Sequence, residues 1–201
     1  DTAPSLQARI IEALQIRGEF PTSLNVLQRL QHMTSGGGSD TGELARLLQV
    51  DHALVLRLLS IANYEHYRTS RPAVTITDAI AHLGAEKLPD VIANLAAAKN
   101  FNAIYLARAA SLTMMQQSLI AALIARQAAH LLHAEADSAE EAFVLSALIN
   151  AGPLMLAFLR PDAYSGICLD CLEDRILFDV TFRRLIGRTV GECAAAIADA
   201  L

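Results

Sequence analysis

Apolar residues recur along this chain at intervals of three and four, the spacing that lays one stripe down a helix and gives it a face to bury. Leu6, Ile10, Ala13 and Leu14 make one such stripe, and Leu24, Leu27, Leu30 and Met33 make another. No stretch alternates apolar and polar residues convincingly enough to compete as a strand. The breaks fall at turn-forming residues: Ser35-Gly36-Gly37-Gly38-Ser39 predicts a flexible loop, Arg71-Pro72 an extended turn and Gly84 a helix C-terminus. Helix starts follow these stops. Asp40 with Glu43, Thr75 with Asp78, and Ser138 with Glu141 are spaced as N-caps facing an acid in the first turn, where both satisfy or complement free backbone donors. The expectation is an all-α chain of about a dozen short helices.

Composition supports that pattern. The chain has 201 residues, is 53% hydrophobic and has no Trp; it is long enough to bury a core without staples. Cys168, Cys171 and Cys193 form an odd, sparse set that suits a reducing compartment, so a cytoplasmic location is expected. The formal net charge of -5 argues against a general binder of nucleic acid or anionic membrane. Arg9, Glu12, Arg17 and Glu19 interrupt any signal-peptide core between Asp1 and Phe20. The tract Leu112 to Leu132 reads as the most apolar, yet Gln116, Gln117, Arg126, Gln127 and His130 fall within it, so no membrane span is expected.

Several motifs carry possible chemistry, and each has a plainer explanation. The Gly-rich loop lacks the Lys-Ser or Lys-Thr pair and the preceding strand of a phosphate cradle. His130 and His133 are three residues apart with Glu135 and Asp137 nearby, which permits a shared ligand, but solvated groups at a polar helix end are the favoured reading. Cys168-Leu169-Asp170-Cys171 is a lone CxxC without a second pair, and reads as buried or half-buried thiols on a helix. No nucleophile elbow of the G-x-S-x-G type occurs. Thr41 to Asp51, followed by Leu54, Val55 and Leu58, has the apolar spacing of a helix-turn-helix. Its second helix, Ala53 to Ala62, is apolar on nearly every face and has little to offer a base edge, so burial is expected instead.

One longer constellation is more specific. Phe20-Pro21-Thr22-Ser23-Leu24, Glu43-Leu44-Ala45 with Leu48, Asp51, Leu58-Leu59, Ala62-Asn63, Tyr67, Pro72, Ile76, Ala79-Ile80 and Leu83-Gly84 occur in order. In this order they resemble the signature of the HDOD family, the HD-related output domains of bacterial signalling proteins. The resemblance extends over nearly the whole chain, more faintly in its second half. It implies a single domain over 1-201: an HD-like bundle with an N-terminal helical half, 1-102, packed on a degenerate HD core, 103-201. Because HDOD regions commonly run further, it also implies a fragment shortened at its C-terminus.

The same resemblance implies where an HD enzyme would hold its metal. Gln117 stands at the position of the first His, Ile149-Asn150 at that of the His-Asp doublet, and Val190 where a later His is common. A shift of one residue would put Asn150 at the His and Ala151 at the Asp. In either register the side chains are neutral amides or hydrocarbons, poor ligands for a divalent ion that must activate water. The expected function is therefore non-catalytic, with no metal and no cofactor: a regulatory output module acting through contacts with other signalling proteins or with domains of its parent chain. Neither nucleic acid nor membrane is expected as a partner.

The candidate docking surface is the polar, aromatic connection formed by Asn63, Tyr64, His66, Tyr67, Arg68 and Arg71. Its plainer reading is architectural, with Asn63 bracing the loop and Tyr67 packing on the next helix. Two alternatives remain open. One is a small-ligand, nucleotide-like sensor using Gln117 and Asn150, and the other is a residual metal-dependent phosphohydrolase.

Overall fold

The computed structural model describes residues 8, 24–35, 41–64, 71–84, 86–97, 109–133 and 135–199. Ten helices lie among the described residues, and no strand does. They are α1 (Leu24–Ser35), α2 (Thr41–Leu48), α3 (His52–Ala62), α4 (Ile76–Leu83), α5 (Leu88–Ala97), α6 (Ala109–Leu131), α7 (Ala136–Leu159), α8 (Pro161–Glu173), α9 (Phe178–Ile186) and α10 (Val190–Ala198). The all-α expectation is met. The lengths are less uniform than the pattern suggests, since α6 and α7 have 23 and 24 residues.

Local chemistry sets many of the boundaries. Asp51 caps α3, its carboxylate accepting from the N–H groups of Ala53 at 3.0 Å and Leu54 at 3.3 Å. Thr75 and Asp78 form the expected reciprocal capping box at the start of α4, and Gly84 closes that helix with φ of 74°. A residue with a Cβ adopts that conformation only under strain. Thr189 and Glu192 form a second box at α10. Ser138, by contrast, caps nothing: α7 has already begun at Ala136, with Glu135 at the N-cap and no side-chain capping bond.

The helices form two groups. In the first, α1 packs on α5, while α2, α3 and α4 pack on one another. In the second, α7 is the hub, meeting α6 along most of its length and also α8 and α10. Helix α3 joins the groups by packing on α6 and α7. Ala53, Leu54, Val55, Leu56, Leu58, Leu59 and Ala62 are all buried, so α3 has no free face for a DNA groove. Helix α7, not Leu112 to Leu132, carries the most apolar stretch, an 18-residue window of mean hydropathy 2.0. That helix is long and apolar enough to cross a membrane by length and composition alone. In the fold 67% of the window is buried, against α3, α6, α8 and α10, and that packing accounts for its apolarity.

Polar contacts also stitch the groups together. Thr77 on α4 donates twice to Glu140 on α7, from its N–H at 3.1 Å and its hydroxyl at 2.8 Å. Arg126 on α6 donates to the Gln49 side chain beyond α2, and its guanidinium lies 5.7 Å from the Phe143 ring centroid. At the centre of the junction, His52 shares a 2.6 Å hydrogen bond between Nδ1 and the Oγ of Ser118, a fully buried residue on α6.

Candidate functional site

The connection from α3 to α4 is fixed by one side chain. Asn63 accepts from the Ala73 N–H at 2.7 Å through Oδ1 and donates to the Ala73 carbonyl at 3.1 Å through Nδ2. This pairing imitates a short antiparallel bridge and satisfies both polar groups of a buried alanine. Beside it, burial pushes the Asp78 carboxyl up, but hydrogen bonds with the Thr75 side chain and the N–H groups of Val74 and Thr75, together with the Arg71 charge, hold it below the usual range. Asn63 thus braces the loop as its plainer reading expects. Tyr64 is exposed at 68% and Arg71 is exposed. His66, Tyr67 and Arg68 lie outside the described residues, as do Leu6, Ile10, Ala13 and Leu14, Phe20 to Ser23, the Gly36-Gly37-Gly38 loop and Asp40.

This braced connection forms one wall of a cleft of about 610 Å³ between the two helix groups. Leu59, Asn63, Pro72, Ala73 and Val74 line it on one side. Helix α7 supplies Glu141, Val144, Leu145 and Leu148 on the other, with Ala198 and Asp199 from the end of α10. Of the candidate docking surface, Asn63 lines this cleft, while its walls on α7 and α10 carry no signal in the sequence. Its walls are up to 140 residues apart in the chain, as from Leu59 to Asp199, and only the tertiary fold joins them.

The residues singled out by the HD resemblance are spread over three helices, α6, α7 and α10. Gln117 is exposed and lines an open groove of about 480 Å³ between α6 and α8, with Thr113, Tyr164, Ser165, Cys168, Leu169 and Leu172. Ile149 is half exposed on α7. Asn150 donates its side-chain amide to the Ser146 carbonyl on its own helix at 2.8 Å. The Val190 N–H donates to Asp179 at 2.6 Å, tying the start of α10 to α9.

Measured against a divalent metal, this set does not fit. Hard cations take several carboxylate or imidazole donors at once, and Gln117, Ile149, Asn150 and Val190 supply two neutral amides and two hydrocarbons. Among the described residues, no group of three or more His, Cys, Asp or Glu is placed to hold an ion. His130 lies in the last turn of α6 and His133 just beyond it in a left-handed conformation with φ of 59°; both are exposed, as are Glu135 and Asp137.

The cysteines are free thiols. Cys168 and Cys171 are half-buried on α8, and Cys193 is buried on α10, where burial pushes its thiol up despite the opposing charge of Arg188. Tyr164 donates to the Met114 sulfur at 3.2 Å, and burial with the neighbouring Cys168 pushes its hydroxyl up to about 12. Neither group is poised as a nucleophile at neutral pH.

His52 is a further buried polar group for which the sequence pattern implies no role. Burial pushes its pKa down to about 4, so the ring is neutral at physiological pH. It packs edge-on to Phe143 with ring centroids 5.6 Å apart and borders a small pocket of about 180 Å³. The Ser118 contact spans 66 positions of sequence, so no local spacing signals it.

Solved structures share this architecture. The MmoQ response regulator from Methylococcus capsulatus str. Bath superposes with a TM-score of 0.69 at 24% identity, over 90% of this chain and 72% of that one. A second structure of the same regulator, a fragment spanning 20-298, gives a TM-score of 0.68 at 22% identity, over 90% and 68%. A virulence factor from Campylobacter jejuni subsp. jejuni gives 0.72 at 15% identity, over 96% and 69%. No curated protein is similar enough to count as a match. The family model of the HDOD domain matches residues 20–200, nearly the whole chain, and the protein belongs to the HDOD family.

Proposed function

We propose that this HDOD chain is a non-catalytic output module of bacterial signal transduction that works by contact with other proteins or with domains of its parent chain. The observation that carries this reading is the donor set at the HD-equivalent positions, Gln117, Ile149, Asn150 and Val190. An HD-type hydrolase makes its hydroxide on a metal held by carboxylates and imidazoles. Two amides, one of them already bonded to its own helix, are a poor substitute. Family membership and the fold shared with a protein described as a response regulator support a place in signalling. The preformed cleft beside Tyr64 and Arg71 supports work by contact. The chain's three free cysteines suit a reducing compartment, which favours the cytoplasm.

The test is direct. With Mg²⁺ or Mn²⁺ and a panel of phosphoesters and nucleotides, the protein is expected to show no turnover. Activity abolished by a chelator and by Gln117→Ala or Asn150→Ala would overturn the proposal. In the parent regulator, Tyr64→Ala and Arg71→Ala are expected to weaken capture of its partner.

One observation favours a small-ligand sensor as a second reading. The groove at Gln117 gathers an amide with the Thr113 and Ser165 side chains beside apolar surface, the mixture that small-molecule sites use. Thermal stabilisation by a nucleotide, lost in Gln117→Ala, would select that reading.

A further inference from the structure

We infer that the cleft between the two helix groups is the docking site for a short amphipathic segment of a partner protein, apolar on one side and carrying a Lys or Arg at its end. The inference rests on the reading of this chain as a contact module and names the chemistry of what it contacts.

Shape and rigidity come first. At about 610 Å³ the cleft falls within the range of pockets that bury most of a small ligand or a few side chains. Its walls are set before anything binds, because Asn63 holds Ala73 from both sides and Thr77 ties α4 to Glu140 on α7. Preorganised walls lower the ordering cost of association.

The floor and lip are apolar. Leu59, Val144 and Leu148 are buried beneath the opening, while Val74 and Leu145 stand at its edge with 39% and 58% of their surfaces exposed. One turn along α7, Ile149 extends the exposed apolar strip. Contiguous apolar surface around a depression, as opposed to scattered single residues, marks contact sites.

Charge then selects the occupant. The amide of Asn63 is already committed to Ala73 through both its oxygen and its nitrogen, so it adds little to recognition. The ionisable groups of the lining are Glu141 and Asp199, and both are acids. Asp199 is the C-cap of α10. That is the negative end of the helix macrodipole, where an acid is the unfavourable sign and a cation the favourable one. Helix α9 shows the ordinary choice, with Arg183 and Arg184 in its last turn. A cationic side chain from outside would answer Glu141, Asp199 and the α10 terminus together. The same charges disfavour a second copy, whose twofold contact would set acid near acid, and an anionic membrane, which would meet a chain of net charge -5.

The experiment is a peptide-display selection on the folded protein, followed by fluorescence anisotropy of the recovered peptides. Three variants at surface positions are compared with wild type after circular dichroism confirms folding: Glu141→Lys, Leu145→Glu at the lip, and Leu132→Glu at a position outside the cleft lining that is 81% exposed. Recovered peptides are expected to combine apolar residues with Lys or Arg. Glu141→Lys should weaken them about tenfold and Leu145→Glu at least as much. Leu132→Glu should leave binding unchanged. Replacing the basic residue of the peptide by Glu should restore affinity for Glu141→Lys.

Failure to recover any peptide would overturn the inference, as would acidic peptides. Peptides indifferent to both cleft variants would also overturn it, while leaving the contact-module reading intact on another surface. Self-association abolished by Leu145→Glu would assign the cleft to a second copy. Chelator-sensitive turnover would instead overturn the contact-module reading, a result this binding assay does not produce.

Discussion

The α3 to α4 connection and the middle of α7 solve the problem of holding a helical chain in one arrangement by different means. The connection is specified by polar geometry: Asp51 caps α3, Asn63 grips both polar groups of Ala73, and Thr75 and Asp78 cap each other across the start of α4. The middle of α7 is specified by contact alone. A Cβ placed on Gly152 would lie 2.9 Å from the sulfur of Cys193 and 3.5 Å from the ring of Phe182, so α7, α9 and α10 meet there at a separation that only glycine permits without movement. Polar specification leaves a recurring signature of particular residue types at particular intervals. Packing specification leaves only apolar residues of suitable volume, which many sequences supply.

His52 stands between the two, and acid is the sharpest way to break the junction. Its folded pKa of about 4 lies below the ordinary value of 6.5, so between those values the unfolded chain takes up the proton first. The stabilising contribution is complete above the unfolded pKa and is lost as the pH falls from about 6.5 towards 4, on the order of 3 kcal/mol in all. Urea unfolding at pH 7 and pH 4.5 measures it. Carboxylates titrate in the same window, so the comparison is with His52→Gln, which should flatten the difference attributable to the ring. An identical pH dependence in the two proteins would remove His52 from the junction.

Asn63→Ala tests the polar side of the comparison. It leaves the N–H and carbonyl of buried Ala73 without their partner and should cost about 2 kcal/mol, the range for unsatisfied buried groups. Asn63→Asp keeps the acceptor but not the donor, and should recover part of that loss in thermal unfolding. If both variants unfold like wild type, water has replaced the amide and the connection is not specified as argued.

Gly152→Ala tests the packed side and should have the smallest effect, about 1 kcal/mol, because the gain in helix propensity offsets part of the overpacking. Cys193→Ala removes the sulfur nearest the new methyl group, so the double variant should be more stable than the sum of the single changes implies. Strict additivity would show that the glycine is there for another reason.

This difference explains what could be read from the chain before its fold. The polar signature around Asn63, Pro72, Thr75 and Gly84 carried both the family resemblance and the correct capping box at Thr75. The box at Thr189 and Glu192 has the same spacing and is as legible locally as the one at Thr75. Ser138 had the right spacing and the wrong role, since nothing local shows that α7 begins before it. The dominance of α7 was hidden by Gly152 and Pro153, which ordinarily interrupt a helix and are tolerated here within a buried one. The His52 to Ser118 bond and the Glu141 to Asp199 cleft join residues 66 and 58 positions apart, which periodicity cannot register.

Pro153 carries one last consequence. A proline at this point has no amide proton to return to the Ile149 carbonyl, so the longest described helix lacks one rung in its second half. The gap separates a leading segment, which bears the cleft residues Glu141 to Leu148, from a trailing segment sunk in the core from Leu154 to Phe158. Bending resistance in a rod is lowest at a missing tie. Load applied at the mouth of the cleft would therefore be absorbed at that joint, sparing the buried anchor behind it.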